Sequence, residues 1–196
     1  MKRLVLLAIF AFVVMMGHAQ LSIGDVAPDF KLKSTDNKSV SLKQYSAEKG
    51  VILVFTCNHC PYAKLYEDRI IALDKEYKTK GFPVIAINPN NPEEFEEDSF
   101  ENMIKRAKDK GFTFPYLVDD QGLYAKYGAT KTPHIYLLKN DAGKFKVSYI
   151  GAIDDSPRDA SRVKEKYLAQ AIDAELSGKE PKVKETKAIG CSIKAY

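Results

Sequence analysis

Val51-Ile52-Leu53-Val54-Phe55 is an unbroken apolar run, and the hydrophobic period changes immediately after it. β-branched and aromatic residues in such a run suit a strand buried on both faces. Tyr62, Tyr66, Ile70, Leu73 and Tyr77 then recur in steps of four, four, three and four, which is one face of a helix, and Gly81 supplies its stop signal. A strand covered on both faces and followed by an amphipathic helix restricts the chain to layered α/β architectures.

The alternation continues along the chain. Val84 to Ile87 reads as a second buried strand. Phe100, Met103, Ile104 and Ala107 read as a helix capped by Asp98 or Ser99 and ended by Gly111. Tyr116-Leu117-Val118 is a short strand, and Leu123 to Tyr127 a short helical piece stopped at Gly128. His134 to Lys139 and Lys144 to Ile150 are strands joined by Asn140-Asp141-Ala142-Gly143, a hairpin signal. Val163, Tyr167, Leu168, Ala171, Ile172 and Leu176 outline a last helix. Before all of these, Phe30-Lys31-Leu32 and Val40-Ser41-Leu42 alternate around a polar turn and read as an N-terminal β-hairpin. The expected fold is α/β, with a mixed central sheet flanked by helices on both faces. Its parallel centre carries antiparallel strands from the late hairpin at one edge.

The first residues read differently. Lys2 and Arg3 precede an unbroken apolar run, Leu4 to Met16, and Gly17 and Ala19 place small residues at −3 and −1 of a cut before Gln20. This is the pattern of a signal peptide over 1–19. The run is too short for a bilayer span, which takes about 20 apolar residues. The expectation is export, to the periplasm or the exterior in a bacterium, with no stable membrane insertion after cleavage. The rest divides into a domain over 20–178 and an extended, Lys/Glu-rich tail over 179–196. The net charge is +4 for the whole chain, and its basic residues are mixed with acidic ones, so nucleic acid is not an expected partner.

Chemistry concentrates at Cys57-Asn58-His59-Cys60, where the buried strand meets the helix. Two cysteines at i and i+3 can close a small disulfide. A sulfur near a helix N-terminus meets unpaired N–H groups and a favourable dipole, which lower a thiol's pKa. His59, when protonated, adds to that effect, and Pro61 follows at the helix start. A structural disulfide would constrain only a very short loop. A zinc site would need four ligands, and only His134 and the distant Cys191 remain, without paired spacing. In a βαβ context the Cys-x-x-Cys reads as redox. Cys57 is expected to be the exposed, low-pKa nucleophile and Cys60 the more buried partner. With Cys57–Cys60 closed, Cys191 is left over as a possible third redox thiol.

Thr132-Pro133 opens the strand that begins at His134. A strand, Cys-x-x-Cys at a helix start and Thr-Pro before a later apolar strand together resemble the thioredoxin superfamily. Gly24-Asp25-Val26-Ala27-Pro28-Asp29-Phe30 with Val40-Ser41-Leu42 is similar to the opening of redoxin and peroxiredoxin-type chains. Phe114-Pro115-Tyr116-Leu117-Val118-Asp119, Ile153-Asp154-Asp155 and Gly190-Cys191-Ser192-Ile193-Lys194 resemble a peroxiredoxin-like group of that fold. The resemblance spans about residues 22–194. It implies a thioredoxin-like fold, a cis Thr132-Pro133 bond beside the redox centre, and backbone groups at Thr132 that meet a substrate strand. Two departures stand out. Counting back three and seven residues from either Cys57 or Cys60 does not give the Pro-x-x-x-Thr-x-x-Cys of peroxiredoxins. Thr56 stands where thioredoxin has Trp; it is either a hydroxyl donor to the thiolate or a strand end.

The expected activity is thiol–disulfide exchange with protein substrates through Cys57 and Cys60, with Thr56, Asn58, His59, Thr132 and Pro133 in support. No metal, flavin or nucleotide cofactor is implied, and electrons pass to or from a redox partner protein. The rivals are a thiol-dependent peroxidase and a copper-handling module using Cys57, Cys60 and a His, because soft thiolates suit Cu(I). Glu93 to Asp98 reads as a solvated helix entry, Asp119-Asp120 and Asp154-Asp155 as turn formers, and His134 as a satisfied surface residue. Redox direction, physiological substrate and oligomeric state are not written in these motifs.

Overall fold

In the computed structural model, which describes residues 20–196, the apolar run becomes the central strand Gly50–Phe55, with every residue buried. In chain order the strands are β1 (Lys31–Ser34), β2 (Ser39–Ser41), β3 (Gly50–Phe55), β4 (Val84–Asn88), β5 (Tyr116–Val118), β6 (Lys131–Thr132), β7 (His134–Asp141), β8 (Lys144–Gly151) and β9 (Cys191–Ser192). The helices are α1 (Pro61–Tyr77), α2 (Phe100–Lys110), α3 (Leu123–Tyr127) and α4 (Tyr167–Leu176). Seven strands form one sheet in the order β2-β1-β5-β4-β3-β7-β8. Its β5-β4-β3 centre is parallel, and the flanking pairs are antiparallel. This is the mixed sheet of a thioredoxin-like fold. The expected signal peptide lies outside the described residues.

Strand periodicity divides β3 between two cores. Val51, Leu53 and Phe55 pack with Leu123 and Tyr127 of α3 and the N-terminal hairpin. Ile52 and Val54 pack with Tyr66, Ile70 and Tyr77 of α1, Met103 of α2, and Leu168, Ala171 and Ile172 of α4. Each such aliphatic or aromatic side chain contributes about 1.5–3 kcal/mol on burial. Buried charges fix the helices over the sheet. Glu67 of α1 accepts two hydrogen bonds from Arg106 of α2, both at 2.7 Å. Asp74, fully buried, accepts the Val84 N–H at 3.0 Å and the Thr113 hydroxyl at 2.5 Å.

Two helical readings shift. Only Met103 of the expected α2 face is buried; Ile104 is 36% exposed. Val163 precedes α4, because a 3-10 turn over Ala160–Arg162 delays its start. No helix among the described residues is long and apolar enough to cross a membrane.

Candidate active site

β3 ends at Phe55, and the chain turns through Thr56 to Cys60, which is the N-cap of α1, with Pro61 as the first helical residue. Proline is accommodated there because the first helical N–H has no intrahelical acceptor to lose. From the other side, β6 and β7 bring up Thr132 and Pro133, whose peptide bond is cis. Thr132 meets both sulfurs. Its hydroxyl lies 3.1 Å from Cys57 Sγ and its carbonyl oxygen 3.3 Å from Cys60 Sγ. The hydroxyl facing Cys57 therefore belongs to Thr132. Thr56 is buried as a strand end, with its N–H on the Ile87 carbonyl at 2.8 Å.

The disulfide differs from the expected one. Cys60 is bonded to Cys191, with a Cα–Cα separation of 5.9 Å, and Cys57 is the free thiol. The tail accounts for this. β9 pairs antiparallel with β6, which sets Cys191 opposite Thr132 and within bonding reach of Cys60. Nor is Cys57 an exposed, low-pKa thiol: it is 2% exposed, and burial, reinforced by the charge of Asp98, pushes its pKa up to about 12. The Thr132 hydroxyl, the Cys60 N–H and the Asn90 amide favour the thiolate but do not offset desolvation.

Asp98 is the residue that the acidic run Glu93–Asp98 concealed. It is 2% exposed, not solvated. Its Oδ1 accepts the Asn58 N–H at 2.6 Å and the Asn88 amide at 3.2 Å. Its Oδ2 pairs with His59 Nδ1 at 2.5 Å and accepts the Asn90 amide at 2.9 Å. One carboxylate thus organises the loop between the cysteines. His59 also stacks face to face on Phe95, with ring centroids 3.8 Å apart, and Tyr116 donates its hydroxyl to Asn58 Oδ1 at 3.0 Å.

Cys57, His59 and Asp98 bring a sulfur, an imidazole nitrogen and a carboxylate oxygen within 4.8 Å of one another. That set differs from the Cys57, Cys60 and His set expected for copper, because Cys60 is held in the disulfide. Four donors already occupy Asp98, so a metal would have to displace them.

His134 is 5% exposed, not a surface residue, and its Nδ1 accepts the Thr130 N–H at 3.4 Å. Burial lowers its pKa to about 4. The unfolded chain takes up this proton near pH 6.5 and the folded chain only near 4, so the stability from the neutral ring is present above 6.5 and lost as pH falls to 4. His134→Gln is expected to flatten the loss of urea stability between pH 6.5 and 4. An unchanged slope in that window would remove His134 from the acid response. Asp119 caps α3 through the Leu123 and Tyr124 N–H groups, and Asp154 pairs with Arg69 at 2.6 Å, so neither carboxylate is open to calcium.

A family model described as "AhpC/TSA family" matches residues 23–167. The chain belongs to the AhpC/TSA family. An uncharacterized conserved protein from Geobacillus kaustophilus has a solved structure 36% identical to it. That comparison covers 90% of this chain and 94% of the other, with a TM-score of 0.83. A hypothetical protein from Sinorhizobium meliloti 1021 is 29% identical over 91% of this chain and 97% of its own, also with a TM-score of 0.83. The thiol-disulfide oxidoreductase ResA of Halalkalibacterium halodurans is 29% identical over 135 residues, covering 67% of this chain and 70% of its own. Thiol-based oxidoreduction is the class of chemistry that this membership and the clustered sulfurs give.

Proposed function

We propose that the protein is an exported thiol–disulfide oxidoreductase that acts on protein disulfides and dithiols through Cys57 and Cys60, with Cys191 as a third redox thiol. The observation that carries this reading is a free cysteine beside a disulfide, with both sulfurs against Thr132 next to a cis-proline. The similarity to ResA supports the reaction class, and the N-terminal pattern of Lys2, Arg3 and Leu4–Met16 supports export. In the reduced protein the Cys57 thiolate attacks a substrate disulfide. That bond breaks, one substrate sulfur leaves as a thiolate and takes up a proton, and a mixed disulfide forms on Cys57. Cys60 then attacks the Cys57 sulfur and releases the second substrate thiol. A Cys57–Cys60 disulfide remains, and two electrons have passed to the substrate.

Cys60→Ser removes the second step. The reduced variant, mixed with a disulfide-bonded peptide, is expected to accumulate a peptide adduct on Cys57 that dithiothreitol reverses. Recovery of Cys57 as an unmodified thiol would end this reading. The reduction potential of the pair then sets direction: redox proteins of this kind span about −270 mV for reductants to about −120 mV for oxidants. A peroxidase has less support, because the Pro-x-x-x-Thr-x-x-Cys pattern of peroxiredoxins is absent around both Cys57 and Cys60.

A further inference from the structure

The tail reaches the site along a defined path. Lys184 and Thr186 pair with Ile150 of β8, at 2.9 and 3.0 Å, and the Thr186 hydroxyl accepts the Ala152 N–H at 2.9 Å. Beyond that anchor the chain crosses to β6, where the Ile193 N–H meets the Thr130 carbonyl at 3.3 Å and Lys131 Nζ the Ser192 hydroxyl at 3.0 Å. It ends against the loop after β4. There the Lys194 N–H donates to Asn90 Oδ1 at 2.8 Å, and the Lys194 carbonyl accepts the Asn91 N–H at 2.6 Å. Asn90 is also a donor to Asp98, so the tail is joined to the network that holds the cysteine loop.

We infer that Ile189–Lys194 is a tethered stand-in for a partner strand. It fills the pairing edge at Lys131–Thr132 while Cys60–Cys191 is intact, and yields that edge to an extended, cysteine-bearing strand of a protein partner after reduction by a dithiol. The inference rests on the exchange role of Cys57 and Cys60 and adds its regulation.

Three observations support it. The tail pairs as an antiparallel strand, with its own cysteine opposite Thr132, as a β-augmenting peptide would. Gly190 lies so close to the Thr132 carbonyl and the Pro133 nitrogen that any Cβ would collide with them, so it is needed for close approach; its φ is not left-handed. The disulfide also withholds Cys60, the thiol that completes exchange, and Cys191 packs against the Cys57–Cys60 cluster. A two-residue ladder holds poorly without a covalent tether. Once the tether is cut, that ladder, the Ile193 packing and the Lys194 contacts with Asn90 and Asn91 are what hold this end, so reduction is the opening step. A partner dithiolate attacks one sulfur of Cys60–Cys191, the other leaves as a thiolate, and the partner's second thiol resolves the mixed disulfide. Cys60 and Cys191 become thiols, and the partner, two electrons poorer, becomes a disulfide.

Hydrogen exchange on the full chain, before and after dithiothreitol, reads the tail directly. Amides of residues 191–194 are expected to exchange about 100-fold faster after reduction, while those of β3 and β4 keep their protection. Gly190→Val is expected to raise exchange at the same amides with the disulfide still closed, and Cys191→Ser to raise it without reductant. Tail amides equally protected before and after reduction, or slow in Cys191→Ser, would overturn the inference. Exchange with a disulfide-bonded peptide, measured on the same samples, separates it from the catalytic reading. A released tail on a protein that exchanges no disulfides sinks only the catalytic role. Active exchange by reduced protein whose tail stays protected sinks only the stand-in.

Discussion

With Cys60–Cys191 closed, Cys57 is expected to react with iodoacetamide at neutral pH at least about 50-fold more slowly than an ordinary thiol. The raised pKa, about 12 against an ordinary 9.0, lowers the thiolate fraction, by about 1,000-fold at neutral pH. A more basic thiolate is the better nucleophile, which returns about 20-fold. At 2% exposure, steric cover slows the reaction further. The rate should climb about tenfold per pH unit and level off only near 12. The same burial makes the fold sensitive to alkali. The unfolded thiol ionises near 9 and the folded one near 12, so the stability from the protonated thiol is complete below 9 and lost as pH rises to 12. Alkylation mapped by mass spectrometry over pH 7–11 checks the profile. A rate that levels off below pH 9 would mean that Cys57 is not buried as described.

The contrast with the expected low-pKa thiol shows which part of the site a sequence carries. The strand-to-helix switch at Cys57–Cys60 is local: period two gives way to period 3.6 within a few residues, and β3 and α1 follow. Thr132-Pro133 is legible as the start of a strand, and the resemblance supplies its place beside the sulfurs. The choice of disulfide is not local. Cys60 and Cys191 are 131 residues apart, and their pairing depends on where Gly190 lets the tail approach Thr132 and on how Lys194 meets Asn90 and Asn91. A helix terminus lowers the pKa of an exposed thiol, but at the buried position of Cys57 desolvation outweighs it. Asp98 was hidden differently. In a run with four glutamates it reads as solvent-facing, and only the folded loop turns it inward. Asn88 and Asn90, just before that run, were the available signal, since amides at the end of a buried strand need buried acceptors.

Asp98→Ala is expected to destabilise the protein by about 3–5 kcal/mol, because a buried carboxylate that accepts several buried donors is removed. Four donors lose their acceptor together: the Asn58 N–H, His59 Nδ1, and the amides of Asn88 and Asn90. The Asn58, Asn88 and Asn90 donors are enclosed. Without the carboxylate the Asn88 amide keeps only a long contact to the backbone carbonyl of residue 98 at 3.5 Å and the Asn90 amide one to His59 Nδ1 at 3.3 Å, and each buried donor left unpaired costs about 1–3 kcal/mol before relaxation. A stability loss alone would not separate a structural carboxylate from one that tunes the sulfur. Asp98→Asn makes that distinction, because it keeps the side chain's size and removes its charge. That charge is the second cause, after burial, of the high Cys57 pKa. In Asp98→Asn the Cys57 alkylation profile should therefore shift toward lower pH, even as urea stability falls. Equal stability loss in both variants with an unmoved alkylation profile would confine Asp98 to holding the loop. An earlier alkaline limb in the folded Asn variant would make it a positioning residue whose charge helps keep Cys57 protonated.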